Sequence, residues 1–358
     1  MRRIAGIMLV ASVVLLGIAP AATAKVPKGW LGVALGEDLA SRPGMLGDEF
    51  ALMSRSGVGT ARVTFDWNVA QPFADWPLWF GQTDTVVLAA ARRGIDVLPT
   101  VVGAPAWASD DPVDGTYVLT PRDPAQYAAY LRALIARYGP RGTLWAENPS
   151  VRPRPIRAWQ IWNEPNLDRY WRGDWETGYL TLLRAAHAAV KGADPGAKVV
   201  LAGLPNFSWL ALGSLYRKGA APYFDVVAVH PYTRKLSNLI ELVDANRRVM
   251  RAQGDARAEL WVTELSWPAA KGRARDLGFN VTSSEQVRLL RGAVRELARE
   301  RKRLGLGKVL WYAWLTRGSG TTDAFAYSGL RWLTPRGTAR STPALGAFRR
   351  VADDIGAR

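Results

Sequence analysis

The feature that most constrains this chain is an alternation. Eight short apolar or β-branched runs recur along it: LGVAL (31–35), TARVTF (60–65), IDVLPTV (95–101), AWQIWN (158–163), KVVLAG (198–203), FDVVAV (224–229), LWVTE (260–264) and VLWYAW (309–314). Each has strand length, and longer stretches with helical spacing lie between them. The helix candidates are 123–139, led by Asp-Pro; 175–193, with leucine and alanine three and four apart; 283–305, opening on a serine suited to cap the first turn; and 342–355, opening on Thr-Pro. Eight strand–helix units in a chain of 358 residues predict a single (β/α)8 TIM barrel. The Gly-, Pro- and Arg-rich stretch 139–156 is expected to be a long surface loop before the fourth strand. No solenoid-period repeat or low-complexity linker announces a further module.

The amino-terminal segment reads differently. Arg2 and Arg3 precede an apolar run over 4–19, and the small-x-small pattern ATA (22–24) follows. This predicts a secretory signal peptide over 1–24, a mature domain over 25–358, and a secreted, extracellular or cell-envelope location. The alternative is an uncleaved anchor, but the run is short for a span and the cleavage pattern follows it directly. No other segment is apolar and long enough for insertion. The absence of cysteine excludes thiol nucleophiles and thiolate metal sites, and with two histidines a zinc site is not expected. The formal charge of +16 has two readings. One is contact with an anionic partner such as a cell-wall polymer. The other, favoured, is a solvated arginine-rich surface, because the cluster RELARERKRL (295–304) has the mixed sign and helical spacing of an exposed helix face. No nucleic-acid-binding motif accompanies the charge, so no nucleic acid partner is expected.

In a barrel of this kind chemistry sits at the carboxyl ends of the strands. Glu164 ends the fourth run and Glu264 the seventh, so both are expected on one rim. Either alone would be an ordinary loop acid or a turn residue. Two carboxyls converging in an aromatic cleft are what cleavage of a glycosidic bond requires: one to protonate the leaving oxygen, the other to attack or stabilise the cationic sugar carbon. Sixteen tryptophans are many for this length, and a flat indole can stack on a sugar or pack inside the protein. Trp67, Trp107, Trp171 and Trp267 lie near strand ends and are candidate walls of the cleft. Trp159, Trp261 and Trp311 lie inside strands and are expected to pack. No phosphate-cradling glycine loop and no G-x-S-x-G sequence is present, and no cofactor is expected.

The segments GAPAWA (103–108), YGPRGTLWAENP (138–149), PIRAWQIWNEPN (155–166), VAVHPY (227–232) and VTELSWP (262–268) resemble those of glycoside hydrolase clan A, in particular bacterial family 39-like and family 5-like members. The likeness runs through essentially the whole mature chain. It implies a retaining glycosidase with a carbohydrate substrate. It implies Glu164 as acid/base, Glu264 as nucleophile, Asn163 on the sugar 2-hydroxyl and Arg62 beneath the nucleophile. His230 and Tyr232 would lie beside the nucleophile, and Trp314 would form an aromatic floor. Two bland readings stand beside these: His230 as a satisfied core histidine, and Arg62 paired with Asp66 or another surface carboxylate. The alternative to an enzyme is a non-catalytic carbohydrate-binding or cell-wall-associated protein on the same scaffold.

Overall fold

The computed structural model describes residues 25–115 and 117–358. The signal-peptide reading of 1–24 therefore lies outside the described residues. Eight strands form one closed parallel sheet: β1 (Leu31–Ala34), β2 (Thr60–Asp66), β3 (Asp96–Val102), β4 (Ala158–Ile161), β5 (Lys198–Val200), β6 (Val226–His230), β7 (Glu259–Val262) and β8 (Leu306–Trp311). Each pairs with the next, and β8 closes on β1 through Gly32 opposite Leu310. A two-residue continuation, Leu204–Pro205, carries the β5 position onward beside β6. All eight expected strands are present, and the fold is a single (β/α)8 TIM barrel.

A helix follows each strand: Pro43–Arg55, Gly81–Arg92, Pro124–Tyr138, Trp175–Ala193, Ser208–Arg217, Leu236–Ala252, Ser283–Leu304 and Pro343–Asp354. Only four of these were expected. The difference lies at their starts. Asp123 and Asp174 accept hydrogen bonds from the first turns of two of the expected helices, and Thr282 closes a capping box with Glu285 on a third. The cap is thus Thr282 and not Ser283. The helices that were not anticipated begin after Arg42, Phe80, Phe207 and Lys235, none of which makes a side-chain cap. Apart from the proline that opens Pro43–Arg55, their helicity comes from burying one face rather than from local start signals.

The stretch 139–156 is only partly a surface loop. It contains a short helix, Thr143–Glu147, and buries Leu144, Trp145, Val151 and Ile156. Beyond β8 three short strands, β9 (Leu315–Thr316), β10 (Arg331–Leu333) and β11 (Ala339–Ser341), make a small separate sheet.

Side chains on a strand alternate sides, so inward positions recur every second residue. That period sorts the barrel interior into layers. The lower part of the interior is apolar: Leu98, Ala158, Val200, Val226, Ala228, Trp261 and Leu310. Two residues further along the same strands come Thr100, Gln160, His230 and Thr263, all buried and all polar. The chain thus changes chemistry at one level of the barrel, toward its carboxyl end.

Candidate active site

The polar layer is organised by one arginine. Arg62, inward from β2, divides its guanidinium among three partners. Nε donates to Gln160 Oε1 at 2.7 Å, Nη1 to Glu264 Oε1 at 2.5 Å and Nη2 to Asn163 Oδ1 at 2.7 Å. Asp66 is not its partner; that carboxylate caps the short helix Trp67–Ala70. The bond from Arg62 fixes the Asn163 amide with its NH2 turned away from the cation.

Glu264 lies two residues beyond the end of β7 and is held at both oxygens. Arg62 takes Oε1, and the Tyr232 hydroxyl donates to Oε2 at 2.7 Å. Burial alone would raise its pKa. The electrostatic influence of the adjacent His230 and then of the Arg62 cation, together with the hydrogen bonds from Tyr232 and Arg62, outweighs burial and leaves Glu264 below the ordinary carboxylate value. It is therefore anionic across the neutral range. Burial, and then the charge of Glu264, push the Tyr232 phenol well above its usual value, so it stays a donor.

Glu164 meets Glu264 through a shared neighbour. His230 Nδ1 lies 2.6 Å from Glu164 Oε1 and 3.7 Å from Glu264 Oε2, so the imidazole edge spans the two acids. The backbone here is unusual: Trp162 and Glu164 have φ of 71° and 44°. Neither is glycine, and such conformations cost on the order of 1–3 kcal/mol each. They are held by the Trp162 ring, buried with its Nε1 donating to Tyr170 O, and by the Glu164 N–H donating to Gly203 O. Gly203 has a second duty. A Cβ there would fall 2.0 Å from His230 Nε2, so only glycine leaves room for the imidazole.

The structure therefore brings together Glu164, Glu264, Asn163, Arg62, His230 and Tyr232. It does not bring the tryptophans. Trp67 is buried among Trp107, Tyr127 and Tyr130. Trp171 packs edge-on to Trp162 and Tyr179, and Trp267 packs against Trp311. Trp314 is buried and donates Nε1 to Glu49, which is itself paired with Arg331. A ring with no open face cannot stack on a sugar, so these four are packing residues. Trp159, Trp261 and Trp311 are buried as well. Trp107 alone of the candidates is half-buried, its Nε1 donating to Gln71 O.

Other aromatics line the rim instead. Tyr232 stacks on Phe279 at 5.5 Å and meets Phe325 edge-on at 5.1 Å, and Phe325 in turn meets Tyr312. All four are half-buried, forming a wall beside Glu264. The Tyr312–Ala313 peptide is cis. On the loop after β2, Phe73, Trp76 and Trp79 are 54%, 54% and 57% exposed. Gln71 holds that loop, donating to Trp76 O at 2.9 Å. These positions lie in loops, where no periodicity marks a residue as facing a cleft. Gln160 carried a readable signal, as the one polar side chain in the buried run AWQIW.

Glu164, Glu264 and His230 offer ligand atoms all within 4.8 Å of one another, the spacing of a three-ligand metal site. The donors are already engaged: Glu264 by Arg62 and Tyr232, and Glu164 by His230. A guanidinium against one ligand oxygen also repels a metal cation. The arrangement is better matched to a developing positive charge on a substrate.

Solved glycosidases share this architecture. The family 39 glycoside hydrolase of the gut symbiont Bacteroides cellulosilyticus WH2 matches with a TM-score of 0.63 at 18% identity, over 91% of this chain and 63% of that one. A monomeric β-xylosidase from Caulobacter crescentus CB15 matches with a TM-score of 0.66 at 16% identity, over 91% of this chain and 69% of that one. The family 1 β-glucosidase of Thermotoga maritima gives 0.63 at 11% identity, over 93% and 99%. The (β/α)8 barrel is the fold that this chain shares with these glycosidases. At these identities the likeness is one of fold, and the chain spans less than two thirds of the Bacteroides enzyme. No protein-family profile and no curated protein sequence matches it.

Proposed function

We propose that the chain is an exported, retaining glycoside hydrolase acting on a β-linked poly- or oligosaccharide. The observation that carries this reading is the pairing of Glu164 and Glu264, with carboxylate oxygens within 4.8 Å of each other. Retaining glycosidases keep their carboxyls about 5–5.5 Å apart, whereas inverting ones need roughly 6.5–9.5 Å for a water between them.

The steps follow from the surroundings of each acid. Glu264, anionic and held by Arg62 and Tyr232, attacks the anomeric carbon. The bond to the leaving oxygen breaks, and that oxygen takes a proton from Glu164. Glu164, now a carboxylate, accepts a proton from water. The resulting hydroxide equivalent attacks the same carbon, and Glu264 departs as the carboxylate that Arg62 and Tyr232 stabilise. Asn163, its amide set by Arg62, is positioned to donate to a sugar hydroxyl. The exposed Phe73, Trp76 and Trp79 support a chain substrate, since flat apolar rings suit sugar faces. Export rests on the signal-like segment 1–24.

The test is hydrolysis of β-linked glucans, xylans, mannans and galactans, with the first-formed product anomer read by proton NMR. Release of a β-anomer from a β-glycoside is expected. First-formed α-product would refute retention, and no release from any of them, with tight binding retained, would favour a non-catalytic carbohydrate-binding protein.

A further inference from the structure

Behind the two glutamates lies a second connection between them. It runs through Arg62, Gln160, Thr263 and His230, and it has a direction. Gln160 Oε1 accepts from Arg62 Nε at 2.7 Å and from Thr100 Oγ1 at 3.1 Å. Both are donors, so the amide oxygen must face them and the NH2 must face the other way. There Gln160 Nε2 donates to Leu201 O at 3.1 Å and, more weakly, to Thr263 Oγ1 at 3.4 Å. Thr263 Oγ1 thus receives a hydrogen bond on one side. On its other side stands His230 Nε2 at 3.0 Å. The one hydroxyl proton of Thr263 is best used toward that nitrogen. Gln160, Thr263 and His230 are all fully buried, so water does not replace a misdirected bond.

From this geometry we infer that Gln160 and Thr263 are positioning residues that set the tautomer of His230. In the neutral imidazole Nε2 accepts from Thr263, the proton resides on Nδ1, and Nδ1–H donates to Glu164 Oε1. The consequence falls on the acid. An oxygen that accepts from His230 does not carry the carboxyl proton, so the proton of Glu164 is kept on Oε2, the oxygen left for the cleft. The opposite arrangement would place the proton on Oε1, directed into the His230 nitrogen and away from a leaving group. It would require Thr263 Oγ1 to accept from both Gln160 and His230. The inference rests on the proposed role of Glu164 as acid, but the tautomer itself does not.

Two measurements test it. The chain has two histidines, so the ring nitrogens of His230 can be observed by 15N NMR in the His187→Gln background. The expected neutral form has a protonated Nδ1 and an unprotonated Nε2; a protonated Nε2 in the otherwise wild-type protein would overturn the assignment. This readout needs no substrate, so it stands even where hydrolysis fails and the functional reading falls. The second measurement is kinetic. Thr263→Val keeps the shape and removes the hydroxyl, which abolishes the bias at Nε2. The value of kcat/KM, which reports the bond-breaking step and not the later attack of water, should fall about tenfold for glycosides whose leaving group needs protonation, the equivalent of one buried hydrogen bond. It should stay within about twofold for activated aryl glycosides, which need no acid in the bond-breaking step. Thr263→Ser should restore the first class. Equal losses on both substrate classes, or no recovery with serine, would show a structural role only.

Discussion

The two ends of the barrel carry the same kinds of charged pair in different surroundings. At the carboxyl end, Arg62 and Glu264 have side chains 8% and 10% exposed. At the amino end, Lys198 pairs with Glu259, and these side chains are 44% and 38% exposed. Arg154 and Asp96 form a similar half-open pair. At the open end water screens each charge and the pairing adds little. At the closed end each ion has lost its water, and only the partner and the surrounding hydrogen bonds offset that loss. A stability argument would not put ions there. A site that must hold an anion ready for attack, as the proposed function requires, would.

Breaking the buried end should have the largest effect on stability. Arg62→Met leaves Glu264 buried without its cation and strips Gln160 and Asn163 of a donor. A loss of about 3–5 kcal/mol is expected in urea unfolding. The double variant Arg62→Met, Glu264→Gln should recover part of it, because no ion is then stranded. Additive losses would show that the two do not form one unit.

Gly203→Ala attacks the same end through volume. The new methyl overlaps the His230 imidazole, so the ring must shift and its contact with Glu164 must lengthen. Overpacking of this kind costs about 1–3 kcal/mol. Activity should fall with it, and a variant as stable and active as wild type would mean that His230 yields freely.

A third effect sharpens the comparison by pH. The folded-state pKa of Glu264 lies below its unfolded value, so its ionised form contributes stability at neutral pH. That contribution is lost as pH falls below about 4.3 and through the folded-state value. Wild type should therefore lose more stability than Glu264→Gln between pH 7 and pH 3, followed by urea midpoints. An equal loss in the two proteins would contradict the depressed value.

The smallest effect belongs to the open end. Lys198→Met should change stability by less than about 1 kcal/mol, because both partners keep much of their water. A larger loss would erase the contrast between the two ends.

The sequence was legible where the chain signals locally. The eight strands announced themselves as apolar runs, and three of the four expected helices carry side-chain caps. The other helices begin without side-chain caps, and apart from Pro43 at the start of one of them their signal lies in the face they bury. The acids could be read because strand ends of a closed barrel share a rim, so Glu164 and Glu264 came together from their order alone. Orientation could not be read. Trp314 and Trp267 stand near the right strand ends but turn into the packing, whereas Tyr312, Phe279 and Phe325 reach the cleft from positions without periodicity. Thr263 is one residue from Glu264, yet its link to His230 depends on strand register.

The roles of the two acids are tested most directly by chemical rescue with azide. In Glu264→Ala, azide enters from the face opposite the leaving group while Glu164 still supplies the proton, and a β-glycoside should give the α-glycosyl azide. In Glu164→Ala with an activated substrate, the covalent intermediate on Glu264 still forms, and azide should displace it to give the β-glycosyl azide. Proton NMR of the products distinguishes the anomers. The account predicts α from the first variant and β from the second; the reverse pattern would contradict it by exchanging nucleophile and acid.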